Sequence, residues 1–187
     1  MLELKDATLS VGGKKVLDGL SMMALDGQMT CITGPEGCGK TLLLRVMMGF
    51  VPLDKGLVSV DGELVTPQSA SAFRRKMAYV PQVEKHPLKT QGQPAQPSYF
   101  VPETGDLETV WSGEGLPAWE PRVMELPVVT ILDKPIVLAD NPPTTMLSQL
   151  RTLANEGRTV IVTSCEETFI NMSDKTITLG ENDHILS

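Results

Sequence analysis

The stretch ITGPEGCGKTLLLRVMMGF, residues 32–50, decides the fold because it joins a glycine-rich turn to an apolar segment. The segment QMTCIT at residues 28–33 leads into the turn and reads as a strand. Residues 41–50 then place apolar side chains at the spacing of a helix. The sequence therefore predicts a glycine loop between a strand and a helix.

The turn fits the phosphate-loop pattern G-x-x-x-x-G-K-[ST], because Gly34 stands first and Gly39 directly precedes Lys40. Glycines let successive backbone N–H groups turn toward a phosphate, and the N-terminus of the next helix adds partial positive charge. We expect Lys40 to reach the β and γ phosphates of a nucleotide and Thr41 to place its hydroxyl on Mg²⁺. The predicted nucleotide-binding residues of the loop are Gly34, Pro35, Glu36, Gly37, Cys38, Gly39, Lys40, Thr41 and Leu42.

The alternative interpretation of this motif is a glycine-rich turn with a surface lysine. The strand before the motif and the helix after it favour nucleotide binding instead. Cys38 could be an oxidisable thiol or a small residue that fills a tight turn, and the second interpretation is favoured.

A phosphate loop needs a second group on the metal side, usually an acid at the end of a neighbouring buried strand. Asp140 ends the apolar run PIVLAD, residues 135–140, in this manner. Alone it could equally be a turn residue before Asn141 and two prolines. Together with the phosphate loop, its position favours a magnesium ligand.

The remaining pattern predicts an α/β fold. Residues 2–33 alternate in short runs typical of strands joined by tight turns, and Asp61 with Gly62 forms a hairpin signal between two β-rich arms. The PIVLAD run and residues 158–164 read as buried strands, separated by a predicted helix from Thr144 to Glu156. This order implies a mostly parallel sheet with flanking helices and an antiparallel N-terminal β subdomain.

The segment from Val83 to Pro127 differs from the rest, since it carries seven of the 14 prolines and both tryptophans. Proline disrupts helices, so we expect no helical bundle there. A helix from Ala70 to Arg75 and a strand at residues 77–80 precede it, and two β arms around residues 181–183 follow later. Length predicts one domain over residues 1–187, with this proline-rich segment as its atypical part.

Composition excludes several classes of function. A net charge of −7 argues against nucleic acid as a partner, because such binding needs clustered Lys and Arg. Three cysteines without metal-like spacing suggest neither a disulfide framework nor a zinc site, and favour the reducing cytoplasm. No run approaches the roughly 20 apolar residues of a membrane span, so we expect no direct membrane insertion.

Four segments, in order, resemble the ATP-binding subunit of ABC transporters. Residues 16–65 are similar to that family's opening strands, Walker A loop and following hairpin. RRKMAYVPQ (74–82) is similar to the approach to the Q-loop, KPIVLADNP (134–142) to Walker B, and LANEGRTVIVTSCEE (153–167) to the strand before the H-loop. The resemblance implies a P-loop NTPase fold of ABC type, and it nominates Gln82 as the side chain that meets Mg²⁺ and the attacking water.

The departures from the family concern catalysis. Asn141 stands where the family has a glutamate, and an amide cannot take a proton from water, so general-base assistance of about 10²- to 10⁴-fold is expected to be missing. Cys165 stands where the family has the H-loop histidine, and a thiol is a weak hydrogen-bond donor. Val11 occupies the place of the aromatic residue that stacks on adenine, which predicts weaker base binding.

The family's signature, L-S-G-G-Q, is not found, and WSGEG at residues 111–115 is its nearest echo. The interval from Gln82 to Asp140 is also shorter than the family's helical subdomain normally requires. We therefore expect that subdomain to be reduced or replaced. Trp111 and Trp119 are expected as packing anchors, and the alternative is that an exposed tryptophan marks a partner site.

These features leave three functions open. The first is an ABC-type protein that binds Mg-ATP, couples nucleotide state to association with itself, another ABC-type subunit or a membrane permease, and hydrolyses slowly if at all. The second is a non-enzymatic structural or regulatory subunit of an ABC-type complex. The third is a P-loop kinase of small molecules, for which Lys85, Lys89 and Arg122 are a thin supply of basic residues. The first is favoured by the intact Lys40, Thr41, Gln82 and Asp140, and the second by the substitutions at Asn141 and Cys165. We expect the protein in the cytoplasm, peripheral to a membrane through a partner.

Overall fold

The computed structural model describes residues 1–82 and 135–180. The predictions for the proline-rich segment 83–127, for the reduced helical subdomain and for the second β arm after residue 180 lie outside the described residues. The strands are β1 Leu2–Val11, β2 Lys14–Ala24, β3 Met29–Thr33, β4 Lys55–Val60, β5 Glu63–Leu64, β6 Met77–Val80, β7 Ile136–Asp140, β8 Thr159–Thr163 and β9 Lys175–Thr178. The helices are α1 Lys40–Met47, α2 Ala70–Arg74, α3 Leu147–Asn155 and α4 Glu167–Met172, with a 3-10 turn at Thr144–Met146.

The N-terminal strands form an antiparallel sheet in the order β2-β1-β4-β5. The hairpin predicted at Asp61 and Gly62 is present, since Val60 pairs with Glu63 across the turn. Both turn residues have positive φ, which Asp and Gly tolerate better than most residues. The predicted antiparallel N-terminal subdomain is therefore confirmed.

The second sheet has the order β6-β7-β8-β3-β9, and all of its pairings are parallel. Successive residues of β7 point to opposite faces, and both faces are covered. Ile136 and Leu138 pack into a core shared with α1 and the antiparallel sheet, whereas Val137 and Ala139 pack into a second core with α3 and α4. Burial on both faces explains the continuous apolar run and confirms the predicted α/β architecture.

Element ends depart from the sequence predictions where proline or glycine intervenes. The helix predicted from Thr144 starts as a 3-10 turn and becomes α-helical only at Leu147. Pro143 is extended, and its carbonyl accepts a hydrogen bond from the Met146 N–H at 2.9 Å, which closes a tighter turn. Helix α1 ends at Met47, earlier than predicted, because Gly49 turns into the left-handed region at φ 71°.

Helix α4 was not predicted from the sequence. It is a short helix of six residues whose Phe169 is fully buried in the second core. Six residues are too few to show a helical period, so tertiary packing decides its conformation. Within residues 1–82 and 135–180, no helix is long and apolar enough to cross a membrane.

Asp174 ties three elements together at the amino end of β3. Its carboxylate accepts a hydrogen bond from the Met29 N–H at 2.8 Å and, at 3.0 Å, from the Arg151 guanidinium of α3. The Asp174 N–H in turn donates to the Met29 carbonyl at 2.9 Å. The hydrogen bond from Arg151 is the main cause that lowers the pKa of Asp174 below its ordinary 3.8.

We expect Asp174→Asn to lower the free energy of unfolding by about 1 kcal/mol near neutral pH, because a charge-assisted pair is lost. Since the folded-state pKa is lowered, this contribution is present above pH 3.8 and is lost as the pH falls through the folded-state pKa. Urea unfolding of both proteins between neutral and acid pH measures the difference.

The matched control is Asp18→Asn, which removes a carboxylate from an exposed ion pair with Lys15 at 2.9 Å. Exposed pairs contribute about 0 to 1 kcal/mol, so its effect is expected to be smaller. A difference between wild type and Asp174→Asn that stays constant down to acid pH would contradict the prediction.

Candidate nucleotide-binding site

The site lies where the parallel strands end at one edge of the sheet. In the register of the central strands, Ile32 of β3 lies beside Thr163 of β8, which lies beside Asp140 of β7. Crevices outside the carboxyl ends of parallel strands are where α/β proteins bind ligands. The strand order thus brings the phosphate loop and Asp140 to a common edge.

Two glycines of the loop are required by its geometry. A Cβ atom on Gly34, at φ 142°, would lie 2.3 Å from the Leu179 carbonyl oxygen. A Cβ atom on Gly39, at φ 101°, would lie 2.5 Å from Cγ1 of Val16. Because the chain passes this close to β2 and to the residue after β9, no side chain fits at either position. The glycines at these two positions therefore have a packing role in addition to the phosphate-binding role that the sequence predicts.

Lys40 is held inside the loop that precedes it. Its Nζ donates hydrogen bonds to the carbonyl oxygens of Gly34 at 2.7 Å and Pro35 at 2.9 Å, and it lies 3.8 Å from Sγ of Cys38. Helix α1 starts at Lys40, and its first bond runs from the Leu43 N–H to the Gly39 carbonyl at 2.8 Å. The ammonium group thus lies within the loop that leads into the N-terminus of α1, and helix N-termini favour an anion.

Asp140 is a buried carboxylate, 2% exposed, with a hydroxyl donor on each oxygen. The Thr163 hydroxyl donates to Oδ1 at 2.6 Å, and the Tyr79 hydroxyl donates to Oδ2 at 3.3 Å. Burial, and next the negative charge of Asp140, raise the pKa of Tyr79, so the phenol stays protonated and remains a donor. Neither Thr163 nor Tyr79 was predicted from the sequence as a partner of Asp140.

The sequence contains only a weak indication that Thr163 and Tyr79 contact Asp140. Thr163 is a polar residue at the end of an apolar run, which hints at a polar neighbour. Tyr79 has no such signal, because its partner lies on β7, which the sequence separates from β6 by more than 50 residues.

Asn141 follows Asp140 in the left-handed region, at φ 43°. Its N–H lies 2.9 Å from the Thr163 carbonyl oxygen and 3.0 Å from the Thr163 hydroxyl oxygen, and both accept from it. Asparagine tolerates this backbone conformation better than most residues. The exposed amide therefore lies at the edge of the sheet, next to the buried carboxylate.

Cys165 contacts the phosphate loop directly. Its thiol donates a hydrogen bond to the Gly34 carbonyl oxygen at 3.1 Å, the same oxygen that accepts from Lys40. The side chain is exposed. The residue at the predicted H-loop position thus belongs to the same site as the loop.

The structure also locates Thr41 and Gln82. Thr41 lies in the first turn of α1 and is half-buried. Gln82 is exposed and lies two residues beyond β6, whose Val80 pairs with Ala139 of β7. Cys165 therefore contacts the phosphate loop directly. Thr41 and Gln82 are brought near the same edge of the sheet by the positions of α1 and β6.

These residues fit a magnesium ion held jointly with a nucleotide. The described ranges hold no cluster of three His, Cys, Asp or Glu side chains that would bind a metal by itself. The hydroxyl of Thr41, the carboxylate of Asp140 and the amide oxygen of Gln82 are hard oxygen donors. Magnesium is commonly bound by one or two carboxylates together with substrate phosphates.

Comparison with known proteins identifies the family to which the chain belongs. A family model described as ABC transporter matches residues 17–145. The spermidine/putrescine import ATP-binding protein PotA of Marinobacter nauticus is 30% identical over 207 residues, which cover 97% of this chain and 56% of PotA. The manganese transport system ATP-binding protein MntB of Listeria innocua is 37% identical over 81 residues, 43% of this chain and 32% of MntB. The chain thus spans about half the length of PotA.

Solved structures show the same fold. The ATP-binding subunit of an ABC transporter has a TM-score of 0.70 at 16% identity, covering 97% of this chain and 86% of its own. A bacterial ABC transporter cassette, solved in a dimeric form, has a TM-score of 0.68 at 20% identity. The match covers 97% of this chain and 95% of the cassette. From the extent of the family match and the shared fold, we conclude that the chain belongs to the ABC transporter family, as an ATP-binding domain.

Proposed function

We propose that this chain binds Mg-ATP in the loop from Gly34 to Leu42 and that nucleotide state controls its association with a partner. The observation that supports this most directly is the intact loop, with Lys40 beside a helix N-terminus, on the edge that also carries buried Asp140. The partner is a second copy or another ABC-type subunit, together with a membrane permease. The protein then acts in the cytoplasm, peripheral to the membrane.

The loop residues bind and orient the phosphates. Backbone N–H groups at the start of α1 and the ammonium group of Lys40 supply positive charge. Lys40 now donates to two loop carbonyls, and a phosphate oxygen is a charged acceptor that competes well for the same protons. Lys40 is therefore the residue on which phosphate affinity depends most.

Thr41, Asp140 and Gln82 are the residues that hold magnesium in this proposal. When bound with ATP, the ion neutralises negative charge on the phosphates. Asp140 supplies the protein's negative charge on this side, and its hydrogen bonds to hydroxyls keep the carboxylate oriented. On the base side, Val11 is 51% exposed and offers no ring to adenine, so selectivity for the base is weak.

Hydrolysis is weak or absent because two groups lack the required chemistry. The Asn141 amide cannot act as a general base for water. The Cys165 thiol already donates to the Gly34 carbonyl, and a thiol is a weak donor in place of an imidazole. Slow turnover fits a protein in which bound nucleotide maintains an association.

A second candidate function is a non-enzymatic structural or regulatory subunit of an ABC-type complex. Asn141 and Cys165 favour it, because neither residue has a use in efficient hydrolysis. The two candidates differ in nucleotide binding, which is directly measurable.

We expect isothermal titration calorimetry to detect ATP binding in the presence of magnesium, and Lys40→Ala to abolish it at millimolar nucleotide. The physical reason is the loss of the ammonium group from the phosphate site. The control is Lys5→Ala, which removes an exposed lysine of β1 and is expected to leave binding unchanged. A wild-type protein that binds no ATP at millimolar concentration would favour the non-enzymatic subunit.

We expect Asn141→Glu to raise the rate of phosphate release by about 10²-fold, the lower end of general-base assistance. Position 141 has φ 43°, so any residue longer than Asn costs about 1 to 2 kcal/mol there. Asn141→Gln is the matched control, because it carries the same backbone cost without the carboxylate. Equal rates for the Glu and Gln variants would show that the missing base is not the limiting defect.

We expect Glu36→Gln to tighten ATP binding about two- to fivefold at low salt, with a smaller gain at high salt. Glu36 is exposed within the loop and repels the phosphates. The control is Glu63→Gln, which neutralises an exposed carboxylate on β5. Calorimetry at two salt concentrations checks this, and equal gains from both variants would assign the effect to net charge.

A further inference from the structure

We propose that Tyr79 is a positioning residue that fixes the Asp140 carboxylate and thereby sets how tightly the site takes a divalent metal. This inference rests on the proposed function, since it concerns the metal side of the same nucleotide site. It adds a residue from β6 to a set that otherwise comes from the phosphate loop, the Q-loop position and the end of β7.

The Asp140 carboxylate is buried and therefore needs hydrogen-bond donors from the protein. Asp140 is 2% exposed, so water does not satisfy its oxygens, and an unsatisfied buried charge is costly. Thr163 donates to Oδ1 at 2.6 Å, and the Thr163 hydroxyl is itself held by the Asn141 N–H at 3.0 Å. One oxygen is therefore fixed by a short chain of hydrogen bonds from the backbone.

The other oxygen of the Asp140 carboxylate, Oδ2, accepts its hydrogen bond from Tyr79. Tyr79 donates to Oδ2 at 3.3 Å, from the strand that pairs with β7 on the side opposite β8. Its backbone pairs with Leu138, so the ring extends along the strands to reach the residue two positions further on. With donors from both flanking strands, rotation of the carboxylate about its last bond is opposed from both sides.

Tyr79 is not simply a core residue. Its side chain belongs to β6 and is 38% exposed, while its neighbours Met77 and Val80 on the same strand are buried. An aromatic residue that leaves this much of its surface in solvent gains less from packing than a buried one. The hydroxyl contact with Asp140 is the specific interaction that this position provides.

The contact with Tyr79 leaves acceptor capacity on the Asp140 carboxylate for a metal. A carboxylate oxygen can accept more than one partner, so donation from the phenol does not block a cation. Carboxylates that bind metals are commonly oriented by such hydrogen bonds, and loss of an orienting partner typically costs about 10- to 100-fold in metal affinity. At 3.3 Å the bond from Tyr79 is long, which places the expected effect at the lower end.

The experiment is a magnesium titration of the full chain in the presence of ATP, measured by calorimetry, for the wild type and for Tyr79→Phe. We expect the substitution to raise the magnesium concentration at half-saturation about tenfold. ATP affinity measured in EDTA is expected to stay unchanged, because the phosphate loop is intact. Thr152→Val is the control, since it removes a hydroxyl that contacts the Ser148 carbonyl within α3, away from the site.

Two results would overturn the inference. One is an unchanged magnesium dependence in Tyr79→Phe. The other is an equal loss of affinity with magnesium and in EDTA, because a merely structural role would weaken both. Manganese gives a second readout, since its paramagnetic signal reports bound metal directly, and the same tenfold shift is expected.

If wild type binds no ATP, the proposed function fails, and a double-mutant cycle on the nucleotide-free protein still decides the role of Tyr79. The cycle combines Tyr79→Phe with Asp140→Asn and measures unfolding in urea. Coupling of about three- to tenfold in the unfolding equilibrium constant supports Tyr79 as the residue that fixes Asp140. Additive effects of the two substitutions would overturn it.

Discussion

Parallel pairing of β3 with β8 on one side and β9 on the other is the constraint on which the rest of the structure depends. Because β3 is paired on both edges, its backbone N–H and C=O groups are hydrogen-bonded to the neighbouring strands. At the carboxyl end of β3 the chain leaves the sheet through the glycine loop. The closeness of that loop to the residues after β8 and β9 explains why Gly34 has no room for a side chain and why Cys165 reaches its carbonyl.

The same edge concentrates the polar chemistry of a mostly apolar sheet. Asp140 is a buried charge, and hydroxyls from the two flanking strands satisfy its oxygens. These hydrogen bonds hold the carboxylate in place, as the proposed metal site requires. The contrast with Asn141 is instructive, since that amide lies at the same edge, is exposed, and cannot take a proton from water. In the proposed function, binding chemistry and hydrolytic chemistry are therefore separable, because they depend on different residues of this edge.

Much of the fold followed from pattern alone. The strand, loop and helix around residues 32–50, the hairpin at Asp61 and the buried run at β7 were all predicted and are confirmed. Each has a local cause, such as glycine where φ is positive or an apolar run where both faces are covered. The 3-10 turn before α3 and the short helix α4 were not predicted correctly. The turn follows from the extended Pro143 directly before it. The conformation of α4 depends on burial of Phe169 in the second core, which overcomes the weak local preferences of six residues.

The residues of the candidate site likewise fall into those that the sequence predicted and those that only the tertiary structure revealed. Local spacing was sufficient to nominate the phosphate loop, since the loop is continuous in the chain and glycine, lysine and threonine each have a separate chemical role. Together with the phosphate loop it was also sufficient to nominate Asp140, because such a loop needs an acid at the end of a neighbouring buried strand. Which side chains hold that acid depended on tertiary structure: Tyr79 and Thr163 come from strands that are distant in sequence, and only the strand order makes them its neighbours. Strand order is a property of non-local hydrogen bonding, and residue periodicity carries no record of it.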